Sequence, residues 1–357
     1  MKLDSGEYNL KEYVAHIVDN SETILQDRAR NELKAYLFLT NKAWEEFFPN
    51  MSCSRLGEVA ELEVPSIDQG RDPIETYHSF QYSENVALVF TFATMEHYQA
   101  TIQKILNKER GVGEVWIRPS LCGKIRGLIL ERYPEAQIRY FVAKRTPQDL
   151  APAEFRPDEK RRISYSGQDG REVLGEVEHL YGVHPTSIFF DVASDMKLKV
   201  YEDGLIILQT FNQETFDLMF EIWDMVIESI QETTLAAFSM RSDLKSIEME
   251  GGSIVVPEIF SGEIHLPRNR LDAGIAESFS KESRGFSFLD LAIEEGSLVF
   301  SATVIDEDKE SVFGLSASED SIRLIPRYNT TFETFLRFYR YVAESIDDEA
   351  FLIAGSG

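Results

Sequence analysis

The hydrophobic and polar positions of this chain follow a pattern that is written three times. Residues 201–230, YEDGLIILQTFNQETFDLMFEIWDMVIESI, read as an acidic turn, a short apolar strand, a polar break at Asn212 and then a helix. The same order returns at 318–346, SEDSIRLIPRYNTTFETFLRFYRYVAESI, and more loosely at 83–106, SENVALVFTFATMEHYQATIQKIL. Glu84, Glu202 and Glu319 hold equivalent places at intervals of 118 and 117 residues, and Tyr98, Phe216 and Phe332 keep step at 118 and 116. That spacing is far above the ~20–50 residues of solenoid repeats. Each copy is instead large enough to form a small domain or most of one.

Each copy is preceded by an apolar strand and a helix: AYLFLT and NKAWEEFF; RISYS and DGREVLGEVEHLY; EIHL and LDAGIAESFS. Further strands follow, including GEVAELEV and IETYHSF in the first copy, TSIFFDV and MKLKVY in the second, and FSFLDLAI, SLVFSATV and SVFGLSA in the third. The unit is therefore β-α-β-β-(β)-β-α, and the fold class is α+β, an antiparallel sheet with helices on one face. The alternation across Glu58–Val64 fits a sheet with one wet face. In element order, ending on a hairpin and a long helix, the unit resembles the half-domain of TATA-binding proteins. That resemblance implies a fold and transfers no function. A DNA-facing saddle also needs a basic concave sheet, and this chain is acidic.

Four segments follow: an N-terminal helix with repeat unit one (1–107), a basic β-α-β insertion with a proline-rich linker (108–160), repeat unit two (161–238), and a connecting hairpin with repeat unit three (239–357). Residues 8–33 read as a helix broken near Asn20-Ser21. In the insertion, GEVWIR and QIRYFVAKR read as strands flanking the helix SLCGKIRGLILERY. Pro147, Pro152 and Pro157 mark the linker. Gly251-Gly252 reads as a hairpin turn between two strands, and DEDKE (306–310) as an exposed turn.

Composition adds a compartment. The 357 residues are 43% hydrophobic and 11% aromatic, a globular balance with room for two or three domains. Sixty-one acidic against 36 basic residues give a net charge of −25, which disfavours general binding to nucleic acid or anionic membranes. A salty cytoplasm, a plain acidic protein and a nucleic-acid mimic all account for the acidity. Cys53 and Cys122 stand far apart without a CxxC, which suggests a reducing compartment. No run approaches the ~20 apolar residues of a membrane helix. A cytoplasmic location and no membrane contact are the expectations.

Residues 104–162 depart from the overall charge, with fourteen Lys and Arg against eight acids. Arg118, Lys124, Arg126, Arg132, Arg139, Lys144 and Arg145 are the candidate polyanion-binding residues, with Trp116, Tyr133, Tyr140 and Phe141 interleaved. The competing expectation is that this module docks on the protein's own acidic surface or on an acidic copy of itself. His179 and His184 do not match the face spacing of a zinc helix. Asp191, Asp195 and Lys197 have the residue types of a metal-dependent nuclease, but lie where the repeat places a turn. Cys122 opens a helix without a sequence-adjacent base and reads as a small buried residue. Phe216, Phe220 and Trp223, and Phe332, Phe335 and Tyr339, fall at helical spacing and read as core.

No catalytic, cofactor or metal signature emerges, and no cofactor is expected. The chain reads as a non-enzymatic scaffold binding a protein partner or a copy of itself. The alternative is a nucleic-acid-binding or processing component acting through residues 108–145.

Overall fold

The computed structural model describes the chain except residues 1–2, 4–5, 27–30, 43–45, 47–51, 66–73, 146–152, 157–158, 193–195, 251, 272–284, 295–298, 328 and 356–357. The expected helices over 41–48 and 271–280 therefore lie largely outside the described residues. The fold is mixed α+β with large antiparallel sheets. The chain divides into two compact units, one formed by residues 1–145 and 151–228, the other by 229–357.

The first unit opens with α1 (Leu10–Asp19) and α2 (Ser21–Gln26). Asn9 and Glu12 form a reciprocal capping box at the start of α1, and Asn20 closes it, so the break falls where the sequence places it. One eleven-stranded sheet follows. Its strands are β1 (Leu33–Thr40), β2 (Ser52–Leu56), β3 (Val59–Pro65), β4 (Ile74–Ser83), β5 (Val86–Thr91), β6 (Val112–Glu114), β7 (Gln137–Arg145), β8 (Arg161–Ser166), β9 (His184–Val192), β10 (Met196–Tyr201) and β11 (Leu205–Leu208). The helical elements are α3 (Met95–Tyr98), a π-helical stretch (Gln99–Gln103), α4 (Lys104–Lys108), α5 (Pro119–Arg132), α6 (Gly170–Tyr181) and α7 (Gln213–Ser239). The strand order is β2-β3-β4-β5-β1-β11-β10-β9-β7-β8, with β6 also on β1.

Helices cover both faces of this sheet, which corrects the one-sided expectation. On one face Tyr36, Phe38, Leu62, Tyr77 and Val89 pack with Tyr98 and Ile102. On the other, the Phe90 ring packs 5.3 Å from Tyr13 of α1 and edge-on 5.9 Å from Trp223 of α7. The cause is in the strands themselves. β1 and β5 are mostly apolar, broken only by Lys34, Thr40 and Thr91, and are buried at every position, as suits strands with two covered faces. The expected wet face of β3 is a second correction. Glu61 is buried, accepting from His78 Nε2 at 3.3 Å and from the Leu3 backbone N–H at 3.4 Å.

The second unit holds the last part of α7, the hairpin β12 (Arg241–Met249) and β13 (Gly252–Phe260), and a six-stranded sheet. That sheet comprises β14 (Gly262–His265), β15 (Phe286–Glu294), β16 (Val299–Asp306), β17 (Ser311–Ala317), β18 (Ser321–Pro326) and β19 (Phe351–Ala354), in the order β15-β16-β17-β18-β14-β19. Among the described residues of this unit the helix packs on one face of the sheet. Phe286 and Phe313 meet Phe338 of α8 (Phe332–Ser345) at 5.3 and 5.1 Å, while Ser301, Leu289 and Ile293 on the strands are exposed. The DEDKE segment is not simply an exposed turn. Asp306 is fully buried, accepts the Asp308 and Lys309 backbone N–H groups, and receives Arg337 Nε at 3.0 Å.

The first and third segments share a strand order. In both, the opening strand lies beside the last strand before the helix: β2-β3-β4-β5-β1 and β15-β16-β17-β18-β14. The middle segment is wired differently. Its opening strand β8 pairs with β7 at the far edge, and its last strand β11 pairs with β1 instead.

Candidate functional site

The hairpin β12–β13 is the most exposed regular structure described. Nine consecutive rungs join it, from Arg241 opposite Phe260 to Met249 opposite Gly252. Neither strand pairs with any other described strand. One face carries Ile247, Met249, Ile254 and Val256 toward the turn, and the other carries Leu244, Val255, Pro257 and Ile259. Leu244 is 68% exposed, Val255 63% and Met249 60%. Charge gathers toward the root of the first face, where Arg241 pairs with Asp243 at 2.7 Å, Lys245 with Glu258 at 2.8 Å, and Arg241 lies 4.3 Å over the Phe260 ring. Strand propensity explains why these residues form a hairpin, but burial does not. Apolar side chains on both faces of a two-stranded ribbon lack the third layer that stabilises such a ribbon in water.

The basic residues singled out from sequence are dispersed and mostly engaged. Arg126 pairs with Glu178 at 2.7 Å, Arg132 with Glu221, Arg139 with Asp191 at 3.2 Å, and Lys144 with Glu202 at 2.8 Å. Arg145 is buried and donates from Nη1 to the Gly182 carbonyl at 3.1 Å. Arg118 precedes α5 at the N-cap position, and its guanidinium lies 5.6 Å over the Trp116 ring. Lys124 is exposed on α5. Four of these seven residues therefore pair with acids of the chain itself.

Burial shifts the protonation of Cys122 and His78. Burial pushes the Cys122 thiol up to about 12, so its thiolate is scarce at neutral pH. His78 is held below its usual range by burial, against the raising effect of Glu61, and its Nδ1 meets Tyr13 Oη at 3.1 Å. His97 bridges Tyr77 Oη at 2.7 Å and the Pro65 carbonyl at 3.0 Å, just ahead of the π-helical stretch. Both histidines are almost fully buried. Asp191 and Lys197 face each other across β9 and β10, and Asp195 lies outside the described residues. Among the described residues no group of His, Cys, Asp and Glu could hold a metal ion, and no helix is long and apolar enough to cross a membrane.

Sequence reasoning found the hairpin and missed its apolar faces. The signal was present, since the adjacent Val255-Val256 must place one apolar side chain on each face of a strand.

Residues 124–203, from α5 through β10, match a family model described as a family middle domain. An uncharacterized protein of Archaeoglobus fulgidus is 20% identical over 356 residues, with 96% of each chain covered. No solved structure matches.

Proposed function

We propose that this chain is a non-enzymatic scaffold that assembles with a second copy of itself through the hairpin β12–β13. The carrying observation is the pair of apolar faces on an unpaired two-stranded ribbon. The β12 edge has no proline, whereas Pro257 interrupts β13, so β12 is the edge suited to pairing. Antiparallel pairing of β12 with its copy, centred on Leu244, sets Leu244 opposite Leu244 and Ser242 opposite Ser246. It also sets Asp243 opposite Lys245 twice over. Opposite charges across strands favour such a register, and a two-fold contact must be self-complementary in this way. The result is a four-stranded sheet in place of two isolated two-stranded ribbons.

The body carrying the hairpin is, in this proposal, a product of duplication. The shared strand order of the first and third segments and the near-constant spacing of Glu84, Glu202 and Glu319 support it. The middle unit would then have diverged when β7 took the place beside β9.

A Leu244→Cys variant tests the register. Under mild oxidation it is expected to form a disulfide-linked dimer on a non-reducing gel, because directly opposite Cα atoms lie about 4.5–5.5 Å apart. Val255→Cys and the unsubstituted chain are expected to stay monomeric on the same gel. Equal cross-linking at both positions, or at neither, would contradict the pairing.

A further inference from the structure

A cavity of about 470 Å³ in the first unit is lined by Phe155, Arg156, Glu159, Lys160, Arg161 and Tyr181. We infer that it binds a nucleoside 5′-phosphate unit, with the base stacked on Phe155 and the phosphate held by Arg156 and Arg161. The volume lies within the usual range for small-ligand sites.

Three observations converge on this chemistry. First, the aromatic surface is available. Phe155 is 52% exposed, although its backbone N–H is fixed to the Leu180 carbonyl at 3.0 Å, and its ring lies 6.2 Å from Tyr181. An aromatic ring open to solvent beside a second ring offers a stacking surface.

Second, the lining carries three cations against one carboxylate on a chain of net charge −25. Arg161 lies 4.4 Å over the Tyr181 ring, which aims its guanidinium along the cavity wall. Third, the backbone at the cavity is strained. The Arg156 backbone, at φ 47°, sits in the left-handed region, a strained conformation for a non-glycine residue that places its side chain at the cavity.

The site is distinct from the seven basic residues expected from sequence and does not depend on the hairpin. The test is isothermal titration of the full chain with adenosine 5′-monophosphate, adenosine, inorganic phosphate and a single-stranded oligoadenylate, each at two salt concentrations. The expected result is one site per chain for the monophosphate, with adenosine and phosphate each binding at least ten-fold more weakly. Phe155→Ala is expected to weaken monophosphate binding roughly ten-fold, within the range for one stacked base. Arg156→Gly suits the positive φ while removing the cation, and is expected to weaken binding and flatten its salt dependence. Tighter binding of the oligonucleotide than of the monophosphate assigns the site to a single strand, and equal or weaker binding assigns it to a free nucleotide. Phosphate competing as well as the monophosphate, with Phe155→Ala unaffected, would overturn the base-stacking assignment. Absence of all binding at low salt by a folded chain would overturn the site.

Discussion

Buried polar residues decide how this chain answers to pH. His78 lies between Tyr13, Glu61 and, further off, His16, and burial lowers its proton affinity. The folded chain therefore holds His78 neutral at a pH where the unfolded chain, near the reference value of about 6.5, has begun to protonate. Unfolding then takes up a proton, and stability falls as pH drops below about 6.5 until the folded value is passed. The melting temperature of the wild-type chain should decline between pH 7 and 5.5. In His78→Gln, which keeps hydrogen-bonding capacity without the titration, that decline should be shallower. Parallel profiles would show that His78 contributes nothing to it. Glu61 and Asp306 also mark where sequence patterning stops. Alternation placed Glu61 on a wet face and composition made DEDKE a surface turn, because neither registers a partner such as His78 or Arg337, 17 and 31 residues away.

At the scale of elements much more was legible. The break at Asn20, most of the strands and the helices beginning at Gln213 and Phe332 follow from periodicity and capping, whereas β2 and β19 are not among the expected strands, GEVWIR is a strand only where it overlaps β6 (Val112–Glu114), and α7 runs past its expected end near Ile230 to Ser239. The mostly apolar runs of β1 and β5 also signalled two covered faces, although the expected one-sided packing set that signal aside. What periodicity does not carry is pairing between distant strands. The join of β1 to β11, Leu33 opposite Leu208, is fixed by tertiary packing alone. Helix α6 gives a test of how tightly one element sits on this sheet. A Cβ at Gly170 would collide with the backbone carbonyl of Ile138, while one at Gly175 meets nothing within 4 Å. Glycine-to-alanine in a helix gains up to about 1 kcal/mol, and forced overpacking costs about 1–3 kcal/mol. Gly175→Ala should therefore raise the urea midpoint and Gly170→Ala should lower it. Stabilisation by both would mean that the helix rides free of β7.

For the whole molecule, a strongly acidic chain must overcome its own repulsion to associate, and screening by salt is therefore part of the account. Contact through the exposed β12 edge, where Leu244 meets its copy and Asp243 meets Lys245, is an arrangement that limits this repulsion. None of it was legible from composition, because a net charge of −25 says nothing of where apolar surface is left uncovered. Sedimentation equilibrium of the full chain across a hundred-fold concentration range, beside Leu244→Arg, tests the claim most directly. The account predicts a reversible monomer–dimer equilibrium that tightens with added salt, and a folded, monomeric Leu244→Arg variant. A wild-type chain that stays monomeric at every concentration and salt, or a dimer that Leu244→Arg leaves intact, would contradict it.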